Sequence, residues 1–173
     1  PIDPSDIGRS YEPIVRINSQ SGKGGVAFIM ETYFGYKLPK GMHKEFADII
    51  QPISEKQGEV TPDQIMEEFK KNYIDKKEPL HFRRCKFEDI SDNDDGCTHA
   101  IIYYTNHGVE KFFEAVGNGP IDAVQKGLQK ELNINVKILD YNEHALSGGA
   151  GAKAAAYIHM LDLSSKKATF GVG

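Results

Sequence analysis

The residues with the clearest chemical potential are Gly117-Asn118-Gly119-Pro120, placed where a strand-like pattern gives way to a helical one. Their glycines allow close approach to the backbone. The helix that follows would offer free N–H groups and a positive dipole end, which suit a carboxylate. The same four residues also make a plain strand-to-helix turn, and on their own they do not decide between the two. A second glycine-rich stretch, Ser147-Gly148-Gly149-Ala150-Gly151, follows Tyr141-Asn142-Glu143-His144-Ala145. Its small residues make either a cavity or a flexible loop.

Three other constellations fail on spacing. Asn18-Ser19-Gln20-Ser21-Gly22-Lys23-Gly24-Gly25 lacks the earlier glycine of a phosphate loop, and Gly24 stands where a magnesium-holding Ser or Thr is needed. A glycine-rich helix entry fits better. Asp92 to Gly96 resembles the front of a calcium loop, but position 103, where the closing glutamate belongs, is Tyr103. Asp140, Glu143 and His144 do not share a strand face, since Glu143 points away from the other two. The remaining histidines are scattered singly. No nucleophile–base pair or ligand set is recognisable, so no catalytic or metal site is expected in this chain.

The elements that must position these residues fall into two textures. Three helical segments come first. One carries Val26, Ala27, Phe28, Ile29, Met30 and Tyr33. The second is amphipathic through Met42, Phe46, Ile49, Ile50 and Ile53, and Pro52 is expected to kink or end it. The third opens on Thr61 as N-cap, with Pro62 in the first turn and Gln64 placed for a capping box. After Pro79 the chain is rich in alternating, β-branched and aromatic residues. Strands are expected over 80–88, 97–105 and 109–116, then a helix over 121–132, then strands over 136–141, 154–163 and 168–172. That order is a βββα unit followed by βββ, with Gly117-Asn118-Gly119 and Gly171-Val172-Gly173 as the matching ends. The second unit lacks its helix. Residues 152–156 would read as helix on propensity alone.

The fold class is therefore α+β. A mostly helical linker subdomain (1–78) precedes a domain of two βββα-type units (79–173), the last helix missing. Pro1 in place of an initiator methionine fits a segment cut from a longer protein, or processing. In 173 residues, 39% hydrophobic and 27% charged, a real core can form. A net charge of −4 argues against a nucleic-acid or anionic-membrane partner. No apolar stretch approaches the roughly 20 residues of a spanning helix. Cys85 and Cys97 are expected as reduced thiols, because the hairpin would set Cys97 opposite a residue near Ile90.

Two stretches carry a resemblance. Pro1-Ile2-Asp3-Pro4, Gly8-Arg9-Ser10-Tyr11-Glu12 and the run from Arg16-Ile17-Asn18 to Val26-Ala27 resemble the linker of the long-form 2-isopropylmalate synthases. Gly117-Asn118-Gly119-Pro120 with Leu139-Asp140-Tyr141-Asn142-Glu143-His144-Ala145 resembles the leucine-binding regulatory domain of that family. The resemblance covers essentially the whole chain; the citramalate and homocitrate synthases share parts of the plan. It implies a cytoplasmic acyltransferase parent that condenses acetyl-CoA with 2-oxoisovalerate in leucine biosynthesis. The parent's catalytic barrel would use a divalent metal, with no cofactor in this segment and no activity of the segment alone. It also implies a homodimer and L-leucine as feedback inhibitor. Carried over by motif, Gly117, Asn118 and Gly119 would meet leucine's polar end, and Ile121, Ile138, Tyr141, Ala145 and Ala152 would surround its side chain. The competing readings are a purely structural dimerisation element and an autonomous enzyme.

Overall fold

The structure is a computed structural model that describes residues 17–18, 22–90, 96–149 and 151–173. Most of the linker motif and the acidic turn at 91–95 lie outside the described residues. Two compact units divide the chain after Phe69.

In the first unit, α1 (Lys23–Phe34), α2 (Lys40–Gln57) and α3 (Pro62–Phe69) bury Ile29, Met30, Met42, Phe46, Ile50, Ile65 and Phe69. Helix α1 stops because Gly35 takes a left-handed conformation (φ 75°), which lets the Tyr36 N–H reach back to the Met30 carbonyl at 3.0 Å. The capping box of α3 forms as read: the Gln64 N–H donates to Thr61 Oγ1 at 3.3 Å, and the Thr61 N–H to Gln64 Oε1 at 3.0 Å. Pro52 does not end α2, which continues to Gln57. Burial of Ile50 and Ser54 on either side of it holds the helix together, and the stop comes at Gly58 (φ 87°). Short β1 (Ile17–Asn18) and β2 (Glu59–Val60) pair antiparallel.

The second unit opens with a π-helical turn (Lys70–Ile74) and then holds two antiparallel three-stranded meanders. The first is β3 (Leu80–Asp89), β4 (Thr98–Asn106) and β5 (Val109–Gly117), followed by α4 (Pro120–Leu132). The second is β6 (Val136–Ala145), β7 (Ala154–Asp162) and β8 (Ala168–Val172). The β4–β5 turn is a two-residue loop with His107 at φ 46° and Gly108 at φ 78°, the handedness that follows a strand's twist. The Ile90 N–H meets the Cys97 carbonyl at 3.0 Å, and both cysteines are free thiols.

On the first sheet, Ala100, Ile102 and Tyr104 alternate inward with Phe113 and pack with Ala123 of α4. Helix α4 lies so close that a Cβ at residue 127 would collide with the Phe113 ring, which explains the glycine there. Strand β6 runs to Ala145, past the expected end at 141, because β7 pairs with it as far as Ala154. The same pairing overrides the helical propensity of the alanine run.

The duplication is visible in register. The interval from Leu80 to Val136, which starts β3 and β6, equals that from Thr98 to Ala154, which starts β4 and β7. Each first strand carries one bulge at the same place, between Phe82 and Arg84 and between Ile138 and Asp140. The two G-x-G strings, however, do not correspond. Gly117 ends β5 opposite Thr98, whereas Gly171 lies inside β8 opposite Ile158, where the first meander has Phe113 opposite Ile102. Repeated letters misled where hydrogen-bond register decides.

Candidate functional site

The turn between β5 and α4 is built by close approach. A side chain at Gly117 would run into the backbone of Ala123 and the carboxylate of Asp122, so only glycine lets strand and helix meet. That approach brings the Asn118 N–H to Asp122 Oδ2 at 2.8 Å. The same carboxylate oxygen lies 2.7 Å from Lys126 Nζ. The Lys126 hydrogen bond first, then the Asn118 N–H, hold the Asp122 carboxyl below the usual carboxylate value. Within α4 the Ala123 N–H already donates to the Gly119 carbonyl at 3.0 Å. The N–H groups of Ile121 and Asp122, in the first turn, have no acceptor inside the helix.

Two recesses adjoin here. An apolar cleft of about 180 Å³ lies between α4, which contributes Ile121, Val124 and Leu128, and the β6–β7 pair, which contributes Val136, Ile138, Ile158 and Met160. Phe87, Pro120 and Gln125 complete its wall. A more open recess of about 400 Å³ is lined by Asn118, Gly119 and Asp122 together with Pro120, Ile121, Gln125 and Ile138. The last four residues belong to both. A molecule lying across them would put a small apolar group against Ile138 and Val124 and its polar end against the turn and helix start. That chemistry suits a small amphipathic ligand.

Of the residues expected at a site, Asn118, Gly119, Ile121 and Ile138 surround this space, and Gly117 sets its geometry from the end of β5. Tyr141 lies past the bulge opposite Ile158, 40% exposed. Its hydroxyl donates to Glu143 Oε2 at 2.6 Å, and that hydrogen bond to a carboxylate raises its pKa. Ala145 is exposed at the far end of β6, opposite Ala154. Ala152 sits in the following loop, its N–H donating to the Gly149 carbonyl at 3.1 Å. At about 3.3 Å per residue along a strand, Ala145 is on the order of 20 Å from Ile138. Within one chain, a ligand the size of one amino acid cannot touch both. Sequence reasoning missed Phe87, Val124, Leu128, Val136, Ile158 and Met160. The signal for the last three was the shared face of β6 and β7, which can be read only once register is known.

The allosteric (dimerisation) domain model of the LeuA family matches residues 59–173. This chain belongs to that family. A post-catalytic domain-like model of α-isopropylmalate synthase matches residues 1–31. A 2-isopropylmalate synthase of Brucella suis is 42% identical over 178 residues, covering all of this chain and 31% of its own length. One from Clostridium acetobutylicum is 40% identical, with 99% of this chain and 31% of its own length covered. One from Mycobacterium leprae is 42% identical over 91% of this chain and 26% of its own length. The chain thus spans under a third of the relatives it matches. No described helix is long and apolar enough to cross a membrane.

Proposed function

We propose that this chain is the regulatory region of a 2-isopropylmalate synthase, where it binds L-leucine, pairs with a second copy and lowers the acyltransferase activity of a catalytic barrel elsewhere in the protein. The observation that carries the reading is the continuity of the apolar cleft with the recess at the start of α4. Leucine needs donors for its carboxylate, an acceptor for its ammonium and a small apolar space for its isobutyl group. The Ile121 and Asp122 N–H groups supply the donors, with the dipole of α4 behind them. The Asp122 carboxylate and the Asn118 side chain supply acceptors. Val124, Ile138 and Ile158 receive the isobutyl group, which gains about 0.8 kcal/mol per methylene removed from water.

Inhibition requires that leucine favour one arrangement of the regulatory region over another. Because the cleft joins α4 to the second sheet, a ligand bridging them fixes the position of that sheet against the helix. A second reading, a purely structural dimerisation element, is favoured by one observation. Phe112 and Val116 stand 61% and 47% exposed on the sheet face turned away from α4.

Calorimetric titration with leucine, alanine and α-ketoisocaproate separates the two readings. Binding of leucine above the other two supports sensing, and no heat with any of them leaves dimerisation alone. Val124→Phe should fill the cleft and weaken leucine about tenfold to hundredfold, matching an overpacking cost of roughly 1–3 kcal/mol. Undiminished binding by that variant would move the site elsewhere.

A further inference from the structure

A third recess, of about 350 Å³, lies at the bulge of β3, lined by Arg83, Arg84, Tyr103, Tyr104, Glu110 and Lys111. It shares no residue with the cleft beside α4. We propose that it is a binding site for a small phosphate-bearing anion of diphosphate type.

The bulge is what assembles it. In a regular strand Arg83 and Arg84 would project to opposite faces. Because the register shifts between Phe82 and Arg84, Arg83 is the extra residue, and both arginines border one recess. The Arg84 guanidinium carbon sits 4.1 Å from the centroid of the Tyr103 ring. A guanidinium held over an aromatic face keeps its N–H edge free for planar, bidentate contact with an oxyanion. Glu110, which pairs with Thr105 on the same face as Tyr103, adds one carboxylate, while Lys111 opposes Tyr104 on the other face. Among the described residues none of Arg83, Arg84 and Lys111 has a carboxylate within salt-bridge distance. Two adjacent guanidiniums repel one another, the Glu110 carboxylate offsets only part of their charge, and an anion carrying several charges relieves that repulsion.

The second meander serves as an internal control. Its bulge has the same register, yet Leu139 and Asp140 stand where Arg83 and Arg84 do, and His159 stands in the place of Tyr103. The bulge itself therefore does not require cations. The cationic set is confined to one copy of a duplicated feature, as a ligand site would be and a folding requirement would not. A volume of this size also falls at the lower end of the roughly 300–1,000 Å³ usual for small-molecule sites.

The test is titration of this chain with inorganic pyrophosphate in about 0.15 M chloride, an ionic strength that screens diffuse surface attraction. Malonate is titrated in parallel as a dicarboxylate. We expect saturable binding of pyrophosphate, tighter than malonate and unaffected by leucine. R83Q and R84Q should each weaken it about tenfold or more, the loss of one charged hydrogen-bond set, while K153Q leaves it unchanged. Circular dichroism of each variant confirms the fold. No saturable pyrophosphate binding, or binding unchanged in the folded R83Q/R84Q double variant, would overturn the site. Malonate binding as tightly as pyrophosphate would overturn its assignment to phosphate.

Discussion

The two meanders of the second compact unit share strand spacing and bulge position, but they are buried on opposite faces. In the first sheet Ala100, Ile102 and Tyr104 are covered by α4, and the alternate residues His99, Ile101 and Tyr103 are only half-buried. In the second, the positions equivalent to the first set, Ala156, Ile158 and Met160, are half-buried, and Ile158 and Met160 form part of one wall of the apolar cleft. There the alternate residues Ala155 and Tyr157 are buried instead, beside Phe170. His159 stacks on Phe170 with ring centroids 4.2 Å apart, and the turn Lys70–Ile74 lies against β8. A strand's pattern does not itself say which face is inside; the element that packs on it does. In the first sheet that element is α4. The half-covered face of the second sheet beside α4 forms the wall of a cleft rather than a filled core.

This contrast predicts unequal responses to matched substitutions. The largest expected effect is at Phe113, fully enclosed between the first sheet and α4, where Phe113→Ala should cost about 3–5 kcal/mol in urea unfolding. The paired glycines should differ next. Gly127→Ala drives a methyl into the Phe113 ring and should cost about 1–3 kcal/mol, whereas Gly171→Ala should fall within about 0.5 kcal/mol. At Gly171 the nearest atom to an added Cβ is the flexible Met160 tip at 3.5 Å. Equal costs at the two glycines would show that the second sheet is as tightly packed as the first.

The next effect concerns the ligand. Ala145→Phe should leave leucine binding by one chain's own cleft intact, given its separation from Ile138. A loss comparable to that in Val124→Phe, measured by calorimetry, would mean that Ala145 reaches the site from a second copy.

The smallest effect is a dependence on pH in each unit. Asp122, held by Lys126 and the Asn118 N–H, and Asp162, held by the Ser165 hydroxyl and the Ser164 N–H, both have lowered pKa values. A carboxyl whose folded pKa lies below its unfolded one stabilises the fold above the unfolded value, and that stabilisation is lost as pH falls through the folded value. Asp122→Asn and Asp162→Asn should therefore differ from the parent at neutral pH and converge with it in acid. Both side chains are well exposed, so the differences should be small. A gap that widens on acidification would contradict the ion-pair assignment at Asp122.

Much of this architecture was legible before any coordinates. Proline in the first turn and Thr61 with Gln64 each act through local backbone chemistry, and local chemistry is written in the residues themselves. The junction of β5 with α4 was legible for the same reason, since Gly117 to Pro120 announce a tight strand-to-helix turn. The rest depended on how elements meet. Pro52 was expected to kink or end a helix that continues past it to Gln57, with Ile50 and Ser54 buried on either side. The true correspondence of Gly171 with Phe113, and the wall formed by Val136, Ile158 and Met160, follow from register. Two strands fix register only when they meet.

The order of the strands has a consequence for how the molecule is made. Within each meander, every strand after the first pairs with the one just before it, and α4 packs on the sheet it follows. No pairing waits for a distant segment, so each closure spans a short loop and loses little chain entropy. As the polypeptide emerges during synthesis, β3, β4 and β5 can close and receive α4 before β6 exists, and that finished surface then meets the second meander. Pulse-labelled hydrogen exchange should accordingly find protection at Ala100 and Ile102 earlier than at Tyr157.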